Sequence, residues 1–194
     1  MFDYLKGSFT QCQPTHVIVE CNGIGYHVHI SLNTYGKIKD LKSGTIYIHF
    51  QVKEDSQSFF GFYDESERSL FRNLVSVSGV GAGTARMILS SIAPEEIVSI
   101  ITNGDAPTLQ RVKGIGAKTA QRIVIDLKDK LKKGESEAKI NIPSYNTASN
   151  EALTALITLG FARNTAQRAI EKAIKSSGSE QKVEDLIKVS LQHL

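Results

Sequence analysis

The chain has 194 residues, 41% of them hydrophobic and 22% charged, with a formal net charge of +3, enough to bury at least one core as one domain or a few small ones. No apolar run approaches the roughly 20 residues needed to span a bilayer, and the amino terminus, Met-Phe-Asp-Tyr-Leu-Lys-Gly, has no signal-peptide core, so a cytoplasmic protein without a membrane partner is expected. Cys12 and Cys21 stand without Cys-x-x-Cys spacing, which speaks against a disulfide or zinc framework.

Residues 1–63 alternate in a strand-like way. Tyr26, Val28 and Ile30 against His27 and His29 is clean period two, as is Ile46, Ile48 and Phe50 against Tyr47, His49 and Gln51; Val17 and Val19 sit in a more mixed pattern. Asn22-Gly23, Ser43-Gly44 and Glu54-Asp55-Ser56 are the turn signals between them. About five short strands predict a small β-barrel of the oligonucleotide-binding type. His27 and His29 on one strand face could hold a metal or pack on the surface, and the second reading is preferred because the sequence places no acidic or cysteine partner beside them.

Residues 64–133 are predicted to be wholly helical, beginning with a helix over 64–78 whose Glu65 and Glu67 come early and Arg68 and Arg72 late, as a helix dipole favours. The segment 74–89 then recurs at 109–124: Leu74 matches Leu109, Val77 Val112, Gly79 Gly114, Gly81 Gly116, Thr84 Thr119 and Ile88 Ile123. Each copy reads helix, tight turn, helix, with Val80 or Ile115 pointing inward between the glycines. Glycines allow unusual backbone angles and close approach, and the next helix opens with unpaired N–H groups. Such a turn suits a phosphate oxygen. A dinucleotide fingerprint fails because Thr84 and Thr119 stand where a third glycine is needed, and a P-loop fails because Gly116-Ala117-Lys118-Thr119 breaks the Gly-Lys-Thr run. Charge agrees: residues 1–63 and 134–194 are each balanced, whereas 105–133 carry eight basic against three acidic side chains.

Residues 134–147 are short and polar with Gly134 and Pro143 and predict a flexible linker. Residues 148–194 hold three helical patterns, the first closed by Gly160, the second opened by an Asn164-x-x-Gln167 capping box and followed by Gly178, the third preceded by Ser179.

The glycine repeats resemble the helix-hairpin-helix motif, and the whole order of parts resembles the RuvA family of Holliday-junction proteins. The implied fold is mixed and multidomain: an OB-type barrel (1–63), an all-α tandem helix-hairpin-helix domain (64–133), a linker (134–147) and a three-helix, ubiquitin-associated-like bundle (148–194). The implied ligand is four-way junction DNA, met by Gly79, Val80, Gly81, Gly83, Thr84 and Arg86 in the first hairpin and by Lys113, Gly114, Ile115, Gly116, Lys118, Thr119 and Arg122 in the second. The first hairpin departs from the family pattern, with Gly83 where relatives commonly place a lysine. Glu54 and Asp55 match the family's acidic pin; read from the residues alone, they are a solvated turn.

The resemblance further implies a homotetramer, in paired tetramers on DNA, a RuvB-type hexameric AAA+ ATPase as partner, and a RuvC-type resolvase as a further one. The last bundle would dock the motor, with Leu156, Leu159, Phe161, Leu186 and Leu191 as candidates; as bare residues they equally suit a core. No catalytic residue, metal or cofactor is expected. Two alternatives stay open: a helix-hairpin-helix glycosylase or nuclease, for which Asp126 and Asp129 would be the acids, and an adaptor that ignores DNA.

Overall fold

The computed structural model describes residues 2–139, 145–177 and 182–193, which fall into two compact units, Met1–Glu135 and Ser136–Leu194. In the first, strands β1 (Tyr4–Gln13), β2 (His16–Cys21), β3 (Ile24–Ile30), β4 (Ser43–Val52) and β5 (Gln57–Phe62) close into a barrel in the order β1-β2-β3-β5-β4. All neighbours are antiparallel except β3 and β5. Strand alternation sends Val17, Val19, Val28, Ile30, Ile46 and Ile48 inward, where they are buried with Leu5 and Ile38. Asn22 and Gly23 turn β2 into β3 with φ of +51° and +83°, the twist that two-residue hairpins prefer. Ser43-Gly44 instead opens β4, where Gly44 pairs with Gly7 and leaves room for the Phe9 ring. Helix α1 (Leu32–Ile38) follows β3, capped by the Ser31 hydroxyl, which accepts from the Thr34 N–H. It is too short, with a mid-helix Gly36, to leave a periodic signal.

The helical part comprises α2 (Glu65–Val75), α3 (Ala82–Ser91), α4 (Pro94–Asn103), α5 (Ala106–Gln110) and α6 (Ala117–Lys139). Helix α2 stops three residues short of the expected Ser78, because Val77 N–H already turns back to the Leu74 carbonyl. Leu70, Phe71 and Leu74 of α2 pack with the hairpin helices and with Phe60 and Phe62 of β5, so barrel and helices share one apolar seam. Polar contacts reinforce it. The buried Glu67 carboxylate accepts from the Ser31 and Thr34 hydroxyls, and Thr34 Oγ1 also accepts from the Tyr63 N–H at 3.1 Å. Arg68 donates to Asp3 and Glu65 at 2.6 Å each and lies 5.2 Å from the Tyr47 ring centroid; Lys37 pairs with Asp64. The two side chains read as dipole complements, Glu67 and Arg68, thus tie α2 to the barrel.

The expected linker over 134–147 is helical at both ends: α6 runs through Lys139, and α7 (Tyr145–Thr158) starts before 147. Glu135, Glu137, Ala138 and Lys139 are residue types with strong helix propensity, and they carry the helix past Gly134. Residues 140–144 lie outside the described residues. In the second unit, α7, α8 (Arg163–Ser177) and α9 (Val183–Leu191) bury Ala152, Leu156, Ala166, Ile170, Ala173 and Leu186. Gly160 closes α7 with φ +99°. The Asn164 capping box is displaced, since α8 begins at Arg163 and the Ala166 N–H bonds to the Ala162 carbonyl. Gly178 and Ser179 lie outside the described residues.

Candidate nucleic-acid interface

The two glycine turns are built alike. Val77 N–H bonds to Leu74 O and Val80 N–H to Val77 O; thirty-five residues on, Val112 N–H bonds to Leu109 O and Ile115 N–H to Val112 O. Gly79 and Gly114 have φ of +91° and +90°, a left-handed backbone that side chains disfavour. Helices α3 and α6 then start from Gly81 and Gly116, whose carbonyls accept from Ala85 and Ala120. Between the glycines, Val80 is 4% exposed and Ile115 6%. Their side chains are removed from the contact candidates: each is an apolar pin holding helix to helix, and only its backbone can meet a ligand.

Gly81, Gly83 and Gly116 have neither reason for being glycine inside the chain. Their φ is not positive, and a Cβ at any of them would meet nothing within 4 Å. What remains is open space in front of a helix start. Gly81 offers no side-chain cap, so first-turn N–H groups of α3 stay free to bind an oxygen from outside. Lys113 and Lys118 are exposed beside the second turn, and Thr84 and Thr119 are half-buried at matching places.

The two arginines are tethered. Arg122, on α6, donates to the Ser78 carbonyl at 3.2 Å and to its hydroxyl at 3.3 Å, so the second copy reaches back to the turn of the first. Arg86, on α3, donates to the Thr15 carbonyl at 3.1 Å in the β1–β2 turn. Each keeps further N–H donors for an anion. Glu54 and Asp55 are both exposed at the tip between β4 and β5, a tip closed by Lys53 N–H to Ser56 O at 2.8 Å. Asp126 and Asp129 are exposed on α6. His49 lies against Phe71, its pKa lowered by burial and then by Arg72 and Arg68. Among the described residues, no group of three or more His, Cys, Asp or Glu side chains is placed to hold a metal ion. No helix among them is long and apolar enough to cross a membrane.

In the second unit the docking candidates divide. Leu156 (0% exposed) and Leu186 (3%) are interior and hold the three helices together, which removes them from any docking surface; Leu159 (62%), Phe161 (37%) and Leu191 (43%) are on the surface. Ile157, 39% exposed, joins them. It shares the apolar run of α7 with Leu156, and one sequence cannot tell which of two adjacent apolar residues faces inward.

Three family models match in series: RuvA N terminal domain over residues 1–61, SAM-like Helix-hairpin-helix tandem over 71–129, and RuvA, C-terminal domain over 147–194. A protein of Christiangramia forsetii named Holliday junction branch migration complex subunit RuvA is 48% identical over 194 residues, covering all of both chains. The chain belongs to the RuvA family. RuvA proteins of Flavobacterium psychrophilum, 44% identical over the full length of both chains, and Cytophaga hutchinsonii, 43% identical over 99% of both, carry the same name. The first RuvA model ends within β5, and the tandem model begins in α2 and ends within α6, so it contains both glycine turns.

Proposed function

We propose that this chain is the junction-binding subunit of a Holliday junction branch migration complex acting in DNA recombination and repair. The observation that carries the reading is the pair of glycine turns with matching hydrogen bonds and φ, and open space in front of Gly81, Gly83 and Gly116, on a chain whose full-length relatives are named for that complex. Backbone N–H groups at Gly79–Thr84 and Gly114–Thr119 take phosphate oxygens, with Lys113 and Lys118 adding charge at the second turn. Such contacts position a duplex without reading its bases. Arg122 holds the two turns at a fixed spacing, so a tandem unit grips one duplex arm at two phosphates. Four copies around a fourfold axis would present such a grip to each arm of a junction.

Glu54 and Asp55 act by repulsion, keeping phosphates off the crossover while strands separate. ATP hydrolysis belongs to a RuvB-type partner, docked on Leu159, Phe161 and Leu191 of the second unit. The test is junction against linear duplex of equal length, at several salt concentrations. Affinity should favour the junction whatever its sequence and fall steeply with salt through counterion release. Equal affinity for both DNAs would sink the reading. In the same assay, Glu54→Gln/Asp55→Asn should leave affinity level or raised while partner-driven migration changes; wild-type behaviour in both would remove the pin.

A further inference from the structure

Outside the glycine turns, one cluster of three histidines has no role in the reading above. His16 on β2 pairs directly with His29 on β3. The His16 and His27 rings stack with centroids 4.5 Å apart, and His27 meets His29 edge-on at 4.9 Å. His27 is exposed, and His16 and His29 are half-buried. Helix α3 closes the group from the other side, since Arg86 reaches Thr15, the residue before His16. Around them β5 contributes the Phe60 ring, 5.6 Å from His29, and β1 sets Gln13 opposite His16 and Gln11 opposite Ile18; the carboxylate on that face of β2, Glu20, stands opposite Gly25, the next pair on that face beyond Ile18 and His27. The charged groups that act on His29 are Arg86, His27 and His16, all of one sign.

Stacked rings present their faces to one another, not their nitrogen lone pairs to a common point, so the arrangement does not build a metal site. Three imidazoles and a guanidinium with no carboxylate among them fit an anion instead. The location fits the anion of the proposed function. Arg86 lies five residues into α3 from Gly81, about 7.5 Å along the axis, and Gly83 and Arg86 are three apart on one helix face. Arg86 in turn reaches Thr15, next to His16, so that face leads from the first turn toward the imidazoles. This is also the hairpin without a lysine.

Resting on that reading, we propose that His16, His27 and His29, together with Arg86, form a second phosphate-binding patch that extends the first hairpin onto the barrel and couples DNA affinity to pH. In the free chain His29 is held below its ordinary pKa by burial first, then by Arg86, His27 and His16. A depressed histidine binds fewer protons folded than unfolded, so its contribution to stability shrinks as pH falls through about 6.5. A bound phosphate opposes this, favours the imidazolium and draws protons in on binding. Affinity should therefore climb as pH falls, by up to about tenfold per pH unit for each imidazole that gains its proton.

The experiment measures junction affinity of the full chain from pH about 8 to about 6 at fixed ionic strength, for wild type, His27→Gln and His16→Gln/His27→Gln/His29→Gln. Calorimetry in two buffers of different ionisation enthalpy reads proton uptake. Wild type should tighten roughly three- to tenfold over this range with net proton uptake, and its gap over the triple variant should widen as pH falls. The exposed single change, which leaves the barrel core untouched, should lose part of the slope. Equal slopes in wild type and in a single variant folded by circular dichroism overturn the proposal, as does zero proton uptake. Loss of junction preference at pH about 8, the upper end of the range, would instead overturn the function reading itself.

Discussion

At the scale of single residues, the glycine turns separate two kinds of glycine that look identical in the sequence. Gly79 and Gly114 answer to the backbone, with φ near +90°, and any side chain there strains the turn. Gly81, Gly83 and Gly116 answer to nothing inside the chain, so a side chain there should fold and fail only toward a ligand. Gly116→Glu should keep the circular dichroism and melting temperature of wild type while junction affinity drops at least tenfold, through lost approach and added like charge. Lys118→Ala, which removes one phosphate contact, should weaken binding evenly across sequences and cut the salt slope by about one. Unchanged junction binding in a folded Gly116→Glu protein would take the second turn out of the interface. The repeat itself was legible because its six matched positions include both glycines and the apolar frame. Val80 and Ile115 read in the sequence both as packing and as members of the contact motif, since a motif assigns its members a role before their side chains have directions.

At the scale of elements, the barrel strands were legible where one face is buried, as in β3 and β4, because period two is then enforced by the core. Helix α1 was not, and neither was the job of α2. A glutamate early in a helix and an arginine later satisfy the dipole on paper. In the fold Glu67 takes the Ser31 and Thr34 hydroxyls, 36 and 33 residues away in the chain, a partnership no local pattern encodes. Glu67→Ala leaves these two buried hydroxyls without their acceptor, and each stranded group costs about 1–3 kcal/mol. The variant should lose roughly 2–6 kcal/mol by denaturant unfolding. Because α2 leads directly into the first turn, junction affinity should fall with it. Glu67→Gln, which keeps one acceptor, should lose less. A Glu67→Ala protein as stable as wild type would show that the buried carboxylate costs as much to desolvate as its bonds return.

At the scale of the whole molecule, charge and burial distribute the work. The basic excess lies wholly in the first unit, between 105 and 133, while residues 134–194 are balanced at seven basic and seven acidic side chains. Counterion release scales with the phosphates neutralised, so the second unit should add little to DNA affinity. It instead exposes Ile157, Leu159 and Phe161 around the Gly160 corner and Leu191 at the end of α9, apolar surface suited to a protein partner. Truncation after Lys133 removes that surface and ends α6 beyond its last core residues, Leu127 and Leu131. The shortened chain should bind junctions within about twofold of the full one, with the same salt slope, yet fail to stimulate a RuvB-type ATPase. Leu159→Asp/Phe161→Asp in the full chain should reproduce that loss without touching Leu156 or Leu186, whose replacement would unfold the bundle and say nothing about docking. Should truncation lower junction affinity tenfold or more while the first unit stays folded, the last three helices touch DNA, and the division of labour drawn from charge is wrong. Should the surface double variant stimulate the ATPase normally, the motor docks elsewhere on the chain.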